Sequence, residues 1–158
     1  KGVTFAKCNF QNTSLVGVDM SGAFLADSDL TWAQLMQANL SKANLANCNF
    51  SYADMRESDL SDANLQGANL SNTILMNATM GNANLKLANL SNANLIEASL
   101  SFANLSEANL QMADLRLAAL VGTNLIKADL RNATLEGATY TRAQFNGANL
   151  SGVRGYFI

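Results

Sequence analysis

The chain has no histidine and no proline, and only two cysteines and one tryptophan, among 158 residues. Without histidine it lacks the most frequent general base, the usual nucleophilic triads and most zinc sites. No apolar stretch approaches the length of a membrane-spanning helix. Charged residues are sparse, there is no run of like charge, and no shift of composition marks a linker, so the length reads as one domain. Ten basic residues stand against twelve acidic ones, a formal net charge of −2, with no basic stripe. That balance disfavours direct nucleic-acid binding. The glycines are dispersed and build no phosphate-cradling loop. The serines recur one place after a large residue (Ser41, Ser61, Ser71, Ser91, Ser101), without a nucleophile elbow around any of them. The composition points away from an enzyme and calls for no cofactor.

What is present is a period. Every fifth residue is large and apolar, from Phe5, Phe10, Leu15, Met20 and Leu25 through to Tyr140, Phe145 and Leu150. Two places earlier sits a small residue: Val3, Cys8, Thr13, Val18, Ala23, Ser28, and mostly Ala afterwards. A fixed period overrides ordinary helix and strand reading. Five residues of α-helix turn through about 500°, so the large residues would scatter around the axis. In a straight strand an odd period sends successive ones to opposite faces. Within one repeat, however, the small and large residues are two apart, which is strand spacing. Both point inward if the chain turns a corner before the next repeat. The positions just before the large residue and the two just after it then point outward.

Segments such as Ala43-Asn44-Leu45, Ala63-Asn64-Leu65-Gln66-Gly67, Ala93-Asn94-Leu95 and Ala128-Asp129-Leu130 resemble the A(D/N)LXX repeat of the pentapeptide-repeat family. The resemblance covers essentially residues 1–153. It implies an all-β fold: a right-handed quadrilateral β-helix, or solenoid, of about seven to eight coils with four pentapeptides each. Uninterrupted arrays of this kind point to a bacterial source, cyanobacterial in flavour. On that basis residues 1–153 form the β-helix and residues 154–158 a C-terminal apolar cap or tail. At ~4.8 Å between stacked strands the prism is roughly 36 Å long.

Stacking every twenty residues places Cys8 and Cys48 on one inner line but two coils apart, roughly 9.6 Å. A disulfide needs Cα atoms closer than about 7 Å, so both are expected as reduced thiols and no metal is expected. The same stacking builds Asn44, Asn64, Asn84, Asn104 and Asn124 into one outer ladder. A second runs through Asn9, Asp29, Asn49, Asn69, Asn89, Asn109, Asp129 and Asn149, both bonded up and down the stack. The ends of the prism are open strand edges. Large aromatics gather there, Phe5 and Phe10 at one end and Tyr140 and Phe145 at the other. Tyr156, Phe157 and Ile158 are expected to cap the last coil or to form a dimer contact. Gyrase-binding members of the family join two prisms end to end through such segments.

One outer side departs from the polar pattern. Trp32 and Tyr52 fall one coil apart, and Met36, Ile74, Met76, Ile96 and Met112 share their side, with Asp54, Arg56 and Arg116 beside them. An apolar strip with Trp, Met and flanking Arg has the composition of a protein interface. The group Asp54, Glu57, Asp59 and Asp62, in which Glu57 and Asp59 share a face, is the densest set of carboxylates; it reads as a solvated polar face, with a weak divalent-cation site as the alternative. The expected function is a rigid, non-enzymatic scaffold or protein–protein interaction module, with self-association or a protein partner on the strip. The alternative is a DNA mimic that binds a type II topoisomerase, as quinolone-resistance members of the family do, acting as a gyrase inhibitor or protector. Such mimicry needs a continuous negative face, which Lys127, Arg131, Arg142 and Arg154 interrupt. A third reading is a structural module within a longer polypeptide. The chain begins at Lys1 rather than Met, which fits a processed form or a fragment. The cytoplasm is the favoured compartment, and a removed signal segment would place the protein in the periplasm or thylakoid lumen.

Overall fold

The computed structural model describes residues 3–155. Each repeat places one residue in a parallel bridge with the residue twenty positions on, from Thr4↔Phe24 to Thr134↔Arg154. Five residues make a side and twenty make a coil, so the coil has four sides. Residues 4 to 154 at twenty per coil give about seven and a half coils. The sides are numbered by their first bridging residue: first (Thr4), second (Asn9), third (Ser14) and fourth (Asp19).

The repeat accounts for its backbone donors one by one. At the level of Leu85, the Asn84 N–H donates back to Ala63 O at 2.9 Å, and the Leu85 N–H donates forward to Asn104 O at 2.7 Å. The Leu87 N–H also donates forward, to Ser106 O at 3.1 Å. The Ala88 N–H closes the corner on Leu85 O at 3.0 Å. The remaining N–H, on the residue just after the large one, turns back to the Asn two places earlier: Lys86 N–H to Asn84 Oδ1, 3.3 Å. The third residue of each corner has positive φ, for example Asn82 at 57° and Asn92 at 57°. Asparagine and glycine tolerate that conformation best, which is why they recur there.

Inside, the large residues from Leu25 to Leu135 are fully buried, with the small residues packed between them. Each buried Leu contributes about 1.5–3 kcal/mol against ordering entropy. Polar residues on the small line are satisfied by backbone carbonyls. Ser58 and Thr73 donate to Met55 O and Leu70 O of their own corners. Ser28 and Thr123 donate to Phe5 O and Leu100 O one coil back. Cys8 and Cys48 are free thiols with Ser28 stacked between them, as the two-coil separation requires. The Cys48 thiol donates to Leu25 O at 2.9 Å, and burial pushes its pKa up to about 11.

At the ends the large residues are only partly buried. Phe5 packs edge-on against Phe10, with ring centroids 5.8 Å apart, and Tyr140 likewise against Phe145 at 6.1 Å. The expected cap residues Tyr156, Phe157 and Ile158 lie outside the described residues.

Candidate interaction face

The twenty-residue register sorts the outer residues into columns. Asparagine amides form the first expected ladder in full and the middle of the second. On the first side, Asn64, Asn84, Asn104 and Asn124 each donate Nδ2–H to Oδ1 of the Asn one coil earlier, at 3.1–3.3 Å. On the second side the amide bonds run from Asn49 to Asn109, at 3.0–3.2 Å.

The third side carries the strip expected from sequence, distributed over three columns. Trp32, Tyr52 and Met112 stand on the corner shared with the second side. Ile74 is at the centre, and Met36, Met76 and Ile96 line the opposite edge. Trp32 stacks on Tyr52 with ring centroids 4.5 Å apart and planes 9° from parallel. Trp32 is 56% exposed, Tyr52 47% and Met112 63%. All three hold positive φ, between 58° and 62°. Bulky side chains in this left-handed conformation carry a local cost that Asn or Gly would largely avoid.

The strip is not one unbroken patch. Asn72 and Asn92 separate Met112 from the Trp32–Tyr52 pair, so the structure does not bring Met112 against them. Arg56 lies across the strip. Its guanidinium donates to Asp54 at 2.9 Å and 2.6 Å, and its Nη2 sits 3.3 Å from Met36 Sδ. Arg116 holds Asp114 in the same way on this side, and Arg131 holds Asp129 on the second. Hydrogen bonds from these guanidiniums keep the Asp54, Asp114 and Asp129 carboxyls below the usual range. Two shallow grooves flank the far edge. One, of about 290 Å³, is lined by Val16, Met36, Gln37, Arg56 and Glu57. The other, of about 410 Å³, is lined by Ile96, Arg116, Leu117, Glu136 and Gly137.

Three of the expected acidic group share the fourth side, Glu57 and Asp62 on its two edges and Asp59 at its centre, and only Asp54 stands elsewhere. Asp54 is at the centre of the third side, and the corner that follows it turns the chain before Glu57. Among the described residues no group of three His, Cys, Asp or Glu could hold a metal ion. No helix among them is long and apolar enough to cross a membrane.

Sequence reasoning missed several exposed apolar side chains: Val16, Phe24, Leu87, Phe102 and Leu117. Leu87, Phe102 and Leu117 occupy the same corner position as Trp32 and share its positive φ. Reading that position alone, in columns of twenty, would have found them. Phe102 and Leu117 each lean over a glycine of the following coil. A Cβ placed on Gly122 or Gly137 would come within 2.7 Å of them.

The sequence model of pentapeptide repeats matches in eight copies, over residues 4–41, 38–82, 73–111, 83–120 and 113–152. A trypsin-treated form of QnrB1, a plasmid-mediated fluoroquinolone resistance protein, has a similar fold, with a TM-score of 0.52 at 19% identity. That likeness covers 94% of this chain and 79% of the other. HetL, a pentapeptide repeat protein involved in heterocyst differentiation regulation in the cyanobacterium Nostoc sp. strain PCC 7120, is 27% identical over 96% of this chain and 88% of its own, with a TM-score of 0.37. Rfr23 from the cyanobacterium Cyanothece 51142 is 36% identical over 64% of this chain and 63% of its own, with a TM-score of 0.29. No curated protein matches the chain. With repeat matches along nearly its whole length and a twenty-residue coil register throughout, the chain belongs to the pentapeptide repeat family of right-handed quadrilateral β-helices.

Proposed function

We propose that the protein is a non-enzymatic docking rod that binds a protein partner through the third side. The stacked, half-exposed Trp32–Tyr52 pair carries this reading. Two large aromatics, held rigid by the coil and flanked by Met36, Ile74, Met76 and the Arg56–Asp54 pair, have the chemistry of an interface anchor. Rigidity lowers the entropy cost of binding, because the anchor is already ordered. The prism thus presents fixed side chains at ~4.8 Å intervals along its axis.

The rod shape shared with QnrB1 supports a second reading, DNA mimicry toward a type II topoisomerase. Charge weighs against it. Arg56, Arg116 and Arg131 each neutralise a carboxylate on the second and third sides, and Lys86 pairs with Glu107 at 3.4 Å. A gyrase supercoiling assay at micromolar protein separates the two readings, since a docking rod leaves the enzyme unaffected.

The direct test is a quantitative affinity capture with wild type and the Trp32→Ser, Met76→Ser double variant. Both substituted side chains lie outside the core, so the variant should melt within a few degrees of wild type. A partner retained by wild type and lost by the variant supports the reading. Identical capture by the two proteins contradicts it, and loss of folding in the variant would place these side chains in the core instead.

A further inference from the structure

The corner between the third and fourth sides carries the same groove twice. Val16, Met36, Gln37, Arg56 and Glu57 line the first, and Ile96, Arg116, Leu117, Glu136 and Gly137 line the second, position for position four coils further on. At ~4.8 Å per coil the two grooves stand ~19 Å apart along the rod. Each offers two apolar side chains, Val16 with Met36 in one and Ile96 with Leu117 in the other. Each also holds a backbone N–H, of Met36 and of Glu136, that donates to no group among the described residues. Their rungs are centred on Gln34 and Thr134, which do not close this N–H as asparagine does elsewhere.

The charge of this corner is uneven. Asp54 and Asp114 are matched by Arg56 and Arg116. Glu57, Glu97 and Glu136 are left over, all exposed and none in an ion pair among the described residues. Glu57 takes a hydrogen bond from Gln37 Nε2 at 2.9 Å, and Glu136 stands one coil beyond Arg116. The excess negative charge therefore begins in the first groove, passes between the two and ends in the second.

We propose that this corner binds an extended, basic segment of another protein, laid along the rod with one apolar side chain in each groove. A strand rises ~3.3 Å per residue and turns every second side chain the same way, so side chains six apart face the rod at a separation of ~20 Å. A helix needs about thirteen residues for that span and points the two side chains to opposite faces. Glu97 lies ~14 Å beyond Gln37, the middle of the first groove, which is four strand residues along and again on the facing side. A lysine or arginine there meets Glu97, and the unbonded N–H groups of Met36 and Glu136 are open to carbonyls of the segment. This inference rests on the docking-rod reading for its class of partner, but it uses the edge opposite Trp32 and Tyr52.

Fluorescence anisotropy with a labelled, end-blocked Leu-Ser-Lys-Ser-Lys-Ser-Leu peptide tests this on the full chain. The peptide places its leucines six apart and a lysine at the facing position for either chain direction. Wild type should bind it saturably, more weakly as salt rises. Glutamate in place of both lysines, or the second leucine moved one place to the opposite face, should lower affinity at least ~10-fold. Met36→Ser with Leu117→Ser, one change in each groove, should weaken binding ~10-fold while keeping the wild-type melt. Glu97→Gln should weaken it about threefold. Trp32→Ser should bind the peptide as wild type does. No saturable binding by wild type up to millimolar peptide would overturn the proposal, and so would equal affinity for the acidic or shifted peptides. A partner captured through Trp32 while no peptide binds would overturn this inference alone and leave the aromatic anchor standing.

Discussion

On the first and second sides, asparagine or aspartate fills the centre of every rung from Asn44 to Asp129, and its Oδ1 takes the corner N–H two residues on. On the third and fourth sides the same position holds Gln34, Ile74, Thr79, Ser99, Ala119, Thr134, Thr139 or Arg154 in more than half of the rungs from the second coil onward. The inward residues do not distinguish the sides, and leucine and alanine are as buried on one as on another. Core packing and coil register are therefore enough to hold a rung, and the central asparagine is a local addition. Where it is absent the outer surface is released from backbone duty. Those sides border the corners that carry Trp32, Tyr52, Met112, Phe102 and Leu117, and the first side shows the same release at Phe24, a rung without asparagine that is itself exposed. Two sides mainly maintain the scaffold, and two carry most of the surface open to recognition.

The largest expected effect tests what the four sides share. Leu85→Asp places an unpaired charge in the fully buried stack. It should cost more than ~4 kcal/mol and abolish cooperative folding. A wild-type melting temperature for this variant would mean that the core assignment is wrong. The next pair tests what they do not share. Asn89→Ala removes amide bonds to Asn69 and Asn109 and the acceptor for the Ser91 N–H, and should cost about 1–2 kcal/mol. Ser99→Ala, at the same position on the fourth side, should stay within ~0.5 kcal/mol. Equal losses in urea unfolding would erase the distinction between the sides.

Acid sharpens the comparison further. The Asp54 and Asp114 carboxyls of the third side and Asp129 of the second are held down by hydrogen bonds from Arg56, Arg116 and Arg131, and Asp29 by a hydrogen bond from Thr31. Folded values below the unfolded value of about 3.9 mean that these bonds stabilise the protein above that pH. The contribution is lost as pH falls through the folded values. Thermal stability should be nearly level from neutral pH to about 5 and should decline below about 4. The all-amide ladder of the first side is indifferent to this range. A protein whose melt is unchanged down to about pH 2 would show that the Asp–Arg pairs contribute nothing. The smallest effect runs the other way. Ala119→Asn should supply the missing acceptor to the Val121 N–H and raise stability by ~0.5–1 kcal/mol. A destabilised variant would show that the fourth side excludes the ladder for a packing reason.

Much of this was legible in the sequence. The five-residue period dictated which residues face inward, and the resemblance to A(D/N)LXX repeats supplied the four sides. Stacking by twenty then predicted the amide ladders and the separation of Cys8 from Cys48. Trp32 and Tyr52 were readable because large aromatics are rare among outer residues. Leu87, Phe102 and Leu117 were not, because in a Leu-rich chain they look like core residues, and only their corner position, with φ near 60°, exposes them. The acidic group was legible in part: Glu57, Asp59 and Asp62 share the fourth side, while the corner before Glu57 leaves Asp54 on the third. The break in the fourth-side ladder was visible as Thr79, Ser99, Ala119 and Thr139, but its meaning depends on backbone donors that side-chain patterns do not display.

Residue-resolved amide hydrogen exchange tests the two-sided account most directly. The N–H groups of Ala46, Ser71, Ser91, Ser106 and Gln111, each bonded to an asparagine Oδ1, should exchange slowly. Those of Met76, Gly81, Ser101 and Val121, at the equivalent corner position of the other two sides, should exchange orders of magnitude faster. Uniform protection around all four sides would contradict the division of the rod into scaffold sides and recognition sides.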